Sequence, residues 1–566
     1  MKLTGAQILM ECLNEQGVDT IFGYPGGTIL NVYNALYDYQ DRIHHYLTSH
    51  EQGASHAADG YYRATGRPGV CMATSGPGAT NLTTGIATAY YDSSAVVFIT
   101  CNVAENLLGK DAFQEVDITG IAMPITKATY LVDDVNELAG IVREAFYIAR
   151  SGRPGPVLID ILKNVTAEEA EYTYLPKAEH VKYGHLRQVI ERAGRGFKST
   201  QTKPECIEKA AEILAEAEKP VILVGGGVIR SGAEEEVLEL AEKLNAPVCS
   251  TIMGLGAVPG DHPLFLGFAG MHGRKAANVA ISECDVLFAI GTRFSDRVAL
   301  DPKSFAKNAK IIHLDIDRAE IGKNVAAYRP LIGDAKQVLA RLLPQLLPAE
   351  HTAWVQSLRA IVTEPVNETG RFEPFEILQT VERVTDGEAT IVTDVGQHQM
   401  WSAQFYTYRR PGQLITSGGF GTMGFGYGAA MGAAVGDPSR LVVHMTGDGC
   451  FRMNCHELAT SQHYGIPVIT VVFDNGTLGM VRQWQTLLYN SRYSATTLDR
   501  GPDFVKLAEA YGLPGYRATN KEEFEQALRD AIAGGTAAVI DCMLYMDEVV
   551  RPMVPGGAPL TGFILE

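Results

Sequence analysis

Between residues 441 and 475 the chain reads as an apolar strand, a glycine turn with one carboxylate, a helix-like stretch, and a second apolar strand ending in a carboxamide. The first strand is Leu441–Thr446 and the turn is Gly447-Asp448-Gly449; Met453 to Tyr464 has helical spacing, and Pro467–Phe473 leads into Asp474-Asn475. Two strands joined by a helical crossover run parallel in an open sheet. Asp448 and Asn475 then fall at carboxyl ends of strands, in the crevice where open parallel sheets bind ligands. A carboxylate and an amide oxygen, with phosphate oxygens completing the shell, suit Mg²⁺, a hard ion held by few protein ligands. The glycines let backbone amides approach a pyrophosphate at a helix start. A bare Gly-Asp-Gly is more often a tight turn in an ordinary α/β domain; the full spacing to Asn475 argues for the site.

Strand and helix patterns alternate along all 566 residues, which predicts parallel sheets covered by helices on both faces. Two composition shifts divide the chain. One is rich in Lys, Arg, Gly and Thr; the other contains Pro348, Pro365 and Pro374. The resulting expectation is a domain over 1–170, a linker over 171–203, a domain over 204–346, a linker over 347–373 and a domain over 374–566. The net charge of −17 excludes a phosphate-backbone binder, which needs a basic surface. Nine cysteines without a CxxC pair suggest neither a zinc site nor a disulfide framework. Thr4 and Gln7 form a capping box that opens an amphipathic helix rather than a signal peptide, and no apolar run approaches a membrane span. A soluble, cytoplasmic protein is expected.

The segment from Gly447 to Asn475 resembles the diphosphate-and-metal motif of thiamine-diphosphate enzymes, with Asp474 standing where a first asparagine is usual. The resemblance implies metal ligation by Asp448, Asn475 and Thr477. His50-Glu51-Gln52-Gly53 matches the sequence whose glutamate bonds to the aminopyrimidine ring of the cofactor; by itself Glu51 would be a solvated or capping carboxylate. Gly396-Gln397-His398 matches positions that reach the diphosphate, and Gly421, Met423 and Met480 belong to segments that shape the bent cofactor. Core packing is the plain alternative for Met423.

In the middle of the chain, Pro220–Val224 runs into Gly225-Gly226-Gly227, which lacks the GxGxxG spacing of a standard dinucleotide site. With Thr251, Gly270-Met271-His272, Arg293, Arg297, Asp315-Ile316 and Asp334, it resembles the FAD positions of acetohydroxyacid (acetolactate) synthase catalytic large subunits. Phe113-Gln114 and Trp484 also match that family, which covers nearly the whole chain. The implied fold is a thiamine-diphosphate-binding one with a central FAD-binding domain. The implied reaction decarboxylates pyruvate and transfers its hydroxyethyl unit to a second pyruvate or to 2-ketobutyrate, in branched-chain amino-acid biosynthesis. Glu51, Phe113, Gln114, Arg297 and Trp484 are its catalytic candidates, with Arg297 and Trp484 on the acceptor; a core aromatic is the alternative for Trp484. A homodimer or homotetramer is implied, with a regulatory small subunit common in the family. Rival readings on the same scaffold are a flavin-dependent pyruvate oxidase and another 2-keto acid carboligase or decarboxylase. Departures from the family pattern lie at Thr28, Cys101 to Ala104, Leu162, Asn164 and the stretch from Tyr183 to Thr202.

Overall fold

A computed structural model describes residues 1–175, 202–362 and 365–565, so most of the unusual stretch from Tyr183 to Thr202 lies outside the described residues. Three six-stranded sheets, parallel throughout, carry the fold. In space the first runs His44–Leu47, Thr20–Tyr24, Gly69–Thr74, Val96–Asn102, Val157–Leu162, Ala128–Val132. The third runs Leu414–Thr416, Thr390–Thr393, Val442–Gly447, Val468–Asp474, Ala538–Met543, Gly515–Ala518. With strands counted in chain order within each sheet, both read 2-1-3-4-6-5. The first and third domains thus share one topology.

The middle sheet differs. It runs Phe265–Phe268, Val248–Ser250, Pro220–Val224, Val286–Ile290, Lys310–Asp315, Arg329–Ile332, or 3-2-1-4-5-6. That is the strand order of dinucleotide-binding domains. Central strands such as Val96–Asn102 and Val286–Ile290 are buried along their whole length, as expected of parallel strands covered on both faces. Their near-continuous apolar runs are the sequence signature of such strands.

Local boundaries shift in instructive ways. The helix that carries Glu51 spans Glu51–Thr65 and starts at Glu51 itself, because the His50 side chain accepts the Gln52 amide and serves as its cap. The helix expected over Met453 to Tyr464 is broken. It is a helix at Asp448–Asn454, a 3₁₀ turn at Cys455–Glu457 and a second helix at Leu458–Tyr464. Cys450 and Cys455 therefore lie in different elements. Glu169–Glu171 pairs antiparallel with Lys2–Thr4, closing the first domain on itself. Within 347–373, the helix Thr352–Arg359 seats Trp354 and Leu358 in the middle-domain core, and the Trp354 indole donates to the Pro220 carbonyl.

The first and third domains meet along two helices, Glu51–Thr65 and Phe425–Gly436. Their backbones nearly touch: a Cβ at Gly60 would lie 2.0 Å from the Ala429 carbonyl oxygen, and one at Gly432 1.8 Å from that of Ala57. Only glycine permits this approach. It fixes the two domains of one chain against each other.

Candidate active site

The third sheet reverses its strand order between Thr390–Thr393 and Val442–Gly447, and a cleft opens at the carboxyl ends of those strands. It gathers Gly396, Gln397, His398, Met423, Gly447, Asp448, Gly449, Asn475, Thr477 and Met480. Asp448 is buried; one carboxylate oxygen accepts the Gly449 amide at 2.9 Å, and the other, Oδ2, has no partner. Burial, with Asp474 beside it, pushes its carboxyl up to about 7. A buried acceptor without a donor is costly, so the cleft fits a cation at Asp448. Among the described residues no three His, Cys, Asp or Glu side chains converge on a metal position. The chemistry therefore suits an ion that takes one carboxylate and finds its remaining ligands on amide, carbonyl and phosphate oxygens.

Hydrogen bonds lock the cleft walls. The Asn475 amide donates to Gln397 Oε1 at 3.3 Å, and Gln397 donates to Gln483 Oε1 at 3.0 Å and to the Glu548 carbonyl at 2.7 Å. Gln483 also accepts the Val550 amide at 2.9 Å, so this row of amides ties the carboxyl-terminal segment to the metal motif. The Thr477 hydroxyl donates to the Thr496 carbonyl. His398 lines the cleft with Nε2 unpartnered, and burial pushes its pKa down to about 4, keeping the ring neutral.

Asp394, two residues before Gly396, is a hydrogen-bond hub. Its Oδ1 accepts the Gly424 and Gly426 amides at 2.8 and 3.0 Å. Its Oδ2 accepts His444 Nε2 at 3.0 Å and the Thr446 hydroxyl at 2.8 Å. Despite complete burial, the His444 contact holds its carboxyl below the usual range. The loop that presents Met423, with Gly421 and Gly424 at φ +72° and +86°, hangs from this carboxylate.

Glu51 lies outside that cleft, beside the turn and short helix that follow Gly69–Thr74 of the first sheet. Its Oε2 accepts Asn81 Nδ2 at 2.9 Å, and a Cβ at Gly78 would lie 3.2 Å from Oε1. Gln114 reaches the same crevice: at φ +61° it is held against Gly76, whose Cβ would fall 2.8 Å from that of Gln114. The neighbouring Phe113 is 86% exposed. Thr28 and Cys101, two departures from the family pattern, form one unit, the Thr28 hydroxyl donating to the Cys101 carbonyl.

In the middle domain, Gly225 and Gly227 abut the backbone of Gly291 across the sheet's switch point; a Cβ on either would lie within 2.6 Å of it. Asp315 ends one strand, and Thr251, Arg293 and Ile316 follow the carboxyl ends of strands in the same sheet. Burial pushes the Asp315 carboxyl up to about 7, and burial with Arg153 lowers Arg293. His272 is buried with Nδ1 unpartnered. Asp334 caps the helix Ala335–Leu342 and accepts the Ser231 hydroxyl at 3.0 Å. Gly270, at φ +123°, and Met271 lie against the Arg297 carbonyl, while the Arg297 side chain is 66% exposed with a nitrogen 3.9 Å from Met271 Sδ. Trp484 comes from the third domain and packs half-buried on the middle-domain cluster that contains Met271 and Val298. Trp484 thus packs across the boundary between the third and middle domains.

Family models match all three blocks: thiamine pyrophosphate enzyme, N-terminal TPP binding domain, over 3–121; central domain, over 207–342; and C-terminal TPP binding domain, over 394–542. The chain is 48% identical to a probable acetolactate synthase large subunit of Methanocaldococcus jannaschii, covering 99% of this chain and 95% of that one. It is 45% identical to an acetolactate synthase of Arthrospira platensis, over 98% and 96%. With an acetolactate synthase large subunit of Haemophilus influenzae it shares 41%, over 100% and 98%.

Proposed function

The chain belongs to the acetolactate synthase large subunits of the thiamine pyrophosphate enzymes, and on that premise we propose how its residues divide the work of this transferase. The third-domain cleft would hold the cofactor's diphosphate together with Mg²⁺. Asp448 Oδ2, the Asn475 amide oxygen and Thr477 would be the ligands. The observation that carries this reading is the buried, unpartnered Asp448 oxygen in a glycine-walled cleft. Met423 and Met480 shape the wall above it, and neutral His398 offers a ring nitrogen to phosphate oxygens.

When bound, thiamine pyrophosphate supplies a nucleophilic carbon that adds to a 2-keto acid and accepts the electron pair released by decarboxylation. Glu51 exchanges a proton with the aminopyrimidine ring, with Asn81 fixing its carboxylate. Gln114 and Phe113 close over the substrate, pyruvate, and exclude water. Arg297 anchors the carboxylate of the acceptor, pyruvate or 2-ketobutyrate. The middle domain, with its dinucleotide strand order and apposed glycines, would hold FAD between Gly225–Gly227, Arg293 and Asp315. Because Glu51 lies outside its own chain's cleft, while Phe113 and Met123 are exposed, a second copy would complete each site in a homodimer or homotetramer. We place the domains at 1–170, 204–346 and 374–566 and the enzyme in the cytoplasm, with a regulatory small subunit as a further partner. Among the described residues no helix is long and apolar enough to cross a membrane.

Product analysis with pyruvate alone, and with added 2-ketobutyrate, tests the reaction. Acetolactate and 2-aceto-2-hydroxybutyrate are expected, whereas oxygen uptake stoichiometric with pyruvate loss would favour the oxidase. Visible flavin absorbance of the purified protein tests the middle-domain cofactor.

Two predictions follow the ligand sets. Asp448→Ala should weaken Mg²⁺-dependent cofactor retention by more than the roughly 10–100-fold typical of losing an outer-sphere partner. Asp474→Asn should leave retention near wild type in the same dialysis assay, and the reverse ranking would move the metal motif by one strand position. For the acceptor, Trp484→Leu should flatten the preference for 2-ketobutyrate, since one methylene in a fitted apolar pocket is worth about 1–3 kcal/mol. Arg297→Lys should depress both products, because a point charge cannot reproduce a bidentate grip. Loss of all activity and flavin together in Trp484→Leu would make that residue structural.

A further inference from the structure

We propose that Glu457, in the third domain, is the positioning residue that sets Glu51, by gripping the chain where the helix of Glu51 begins. The proposal rests on the reading of Glu51 as the cofactor's proton partner. Ser49 and His50, the two residues before the helix Glu51–Thr65, donate their backbone amides to Glu457 Oε2 and Oε1, each at 3.0 Å. The Thr460 hydroxyl donates to Oε2 as well. Glu457 is 0% exposed, and burial raises its pKa, opposed by these donors. A buried carboxylate is tolerated only when its oxygens are occupied by donors, and here every donor but Thr460 belongs to the segment that delivers Glu51.

Two further observations separate this contact from ordinary domain packing. First, Gly53, one turn into the helix, leaves the space the carboxylate needs: a Cβ there would fall 2.1 Å from Glu457 Oε1. Second, Glu457 ends the segment that opens at Asp448, through the short helix Asp448–Asn454 and the 3₁₀ turn Cys455–Glu457. One compact stretch of chain therefore carries a metal-ligand candidate at one end and the support of Glu51 at the other. A carboxylate at a helix start also interacts favourably with the helix dipole. It thus fixes the first turn, and with it the direction of the Glu51 side chain.

The experiment uses the full-length enzyme and three variants: Glu457→Gln, Gly53→Ala and the double variant. Glutamine keeps the shape but turns an NH₂ toward one backbone N–H, so one hydrogen bond is lost and the other becomes a weaker neutral one. Hydrogen–deuterium exchange of the cofactor-free protein should quicken by about tenfold or more in the peptide spanning 48–53, given the usual strength of hydrogen bonds to charged groups. Exchange elsewhere should stay at wild-type rates. In the loaded enzyme kcat should fall by about tenfold, with the KM for pyruvate little changed. Gly53→Ala, which displaces the carboxylate without removing it, should reproduce the defect, and the double variant should be no worse than either single one. Wild-type exchange in Glu457→Gln, additive defects, or a parallel change in kcat and KM would overturn the proposal. Glu51→Gln is the control: full activity there would remove the reading beneath it, whereas a large loss there beside wild-type Glu457→Gln would reject the positioning role alone.

Discussion

Glu51→Gln will fold, bind its cofactor and lose about two to four decades of acetolactate-forming rate, the usual contribution of a positioned acid–base group. Glutamine is isosteric and can still accept from Asn81, which holds Oε2 at 2.9 Å in the native chain. What it cannot do is carry a proton to and from a ring nitrogen. The loss should therefore appear in exchange of the thiazolium C2 proton, followed by NMR in the cofactor-saturated variant, rather than in affinity. The thermal midpoint should stay close to wild type, because no buried charge is left unpaired. Unchanged exchange under saturation would take Glu51 out of the mechanism.

Much of this was readable from sequence because parallel sheets announce themselves twice, through apolar strands and through glycine turns at their carboxyl ends. Pro220–Val224 with Gly225-Gly226-Gly227 and Val442–Gly447 with Asp448 both place strand, turn and candidate ligand in one short window. Contacts between distant segments left no such trace. Glu457 looks like any acid in an amphipathic stretch, and only the fold brings it to Ser49 and His50, about 400 residues away. Asp394 precedes a legible Val395-Gly396, yet its partners Gly424, Gly426, His444 and Thr446 come from two other elements. The start of the Glu51 helix is hard to read from sequence for a related reason: histidine is an uncommon cap, and its ring nitrogen does what Ser or Asp usually does.

The largest effect on stability should come from a network away from the chemistry. Arg63 donates to Asp59 at 2.8 and 3.0 Å, to Asp92 at 3.0 Å and to the Thr416 carbonyl, and the side chains of Arg63, Asp59 and Asp92 are 4%, 0% and 0% exposed. Asp92 also accepts the Gly419 amide at 2.6 Å, so the network reaches the glycine loop that continues to Met423. Asp59 is buried, yet Arg63 holds its carboxyl below the usual range; Asp92 is raised by burial, with Arg63 opposing. Arg63→Leu removes the cation that donates to both carboxylates, although Arg293 still attracts Asp92, and breaking a buried pair in this way costs about 3–5 kcal/mol. Both acids should then have folded-state pKa values above their unfolded value of about 3.9. A raised acid pKa means stability lost as pH rises from the unfolded pKa through the folded one. The deficit of Arg63→Leu should therefore be greatest near neutral pH and narrow toward pH ~4, measured as the difference in denaturation midpoint from wild type at each pH. Adding Asp59→Asn and Asp92→Asn should recover much of the loss at neutral pH, because the uncompensated charge rather than the missing contact is what destabilises. A single variant that unfolds with the wild-type protein at pH 7, or a triple variant no more stable than it, would mean that water reaches these carboxylates and that the Gly419 loop is held by packing alone.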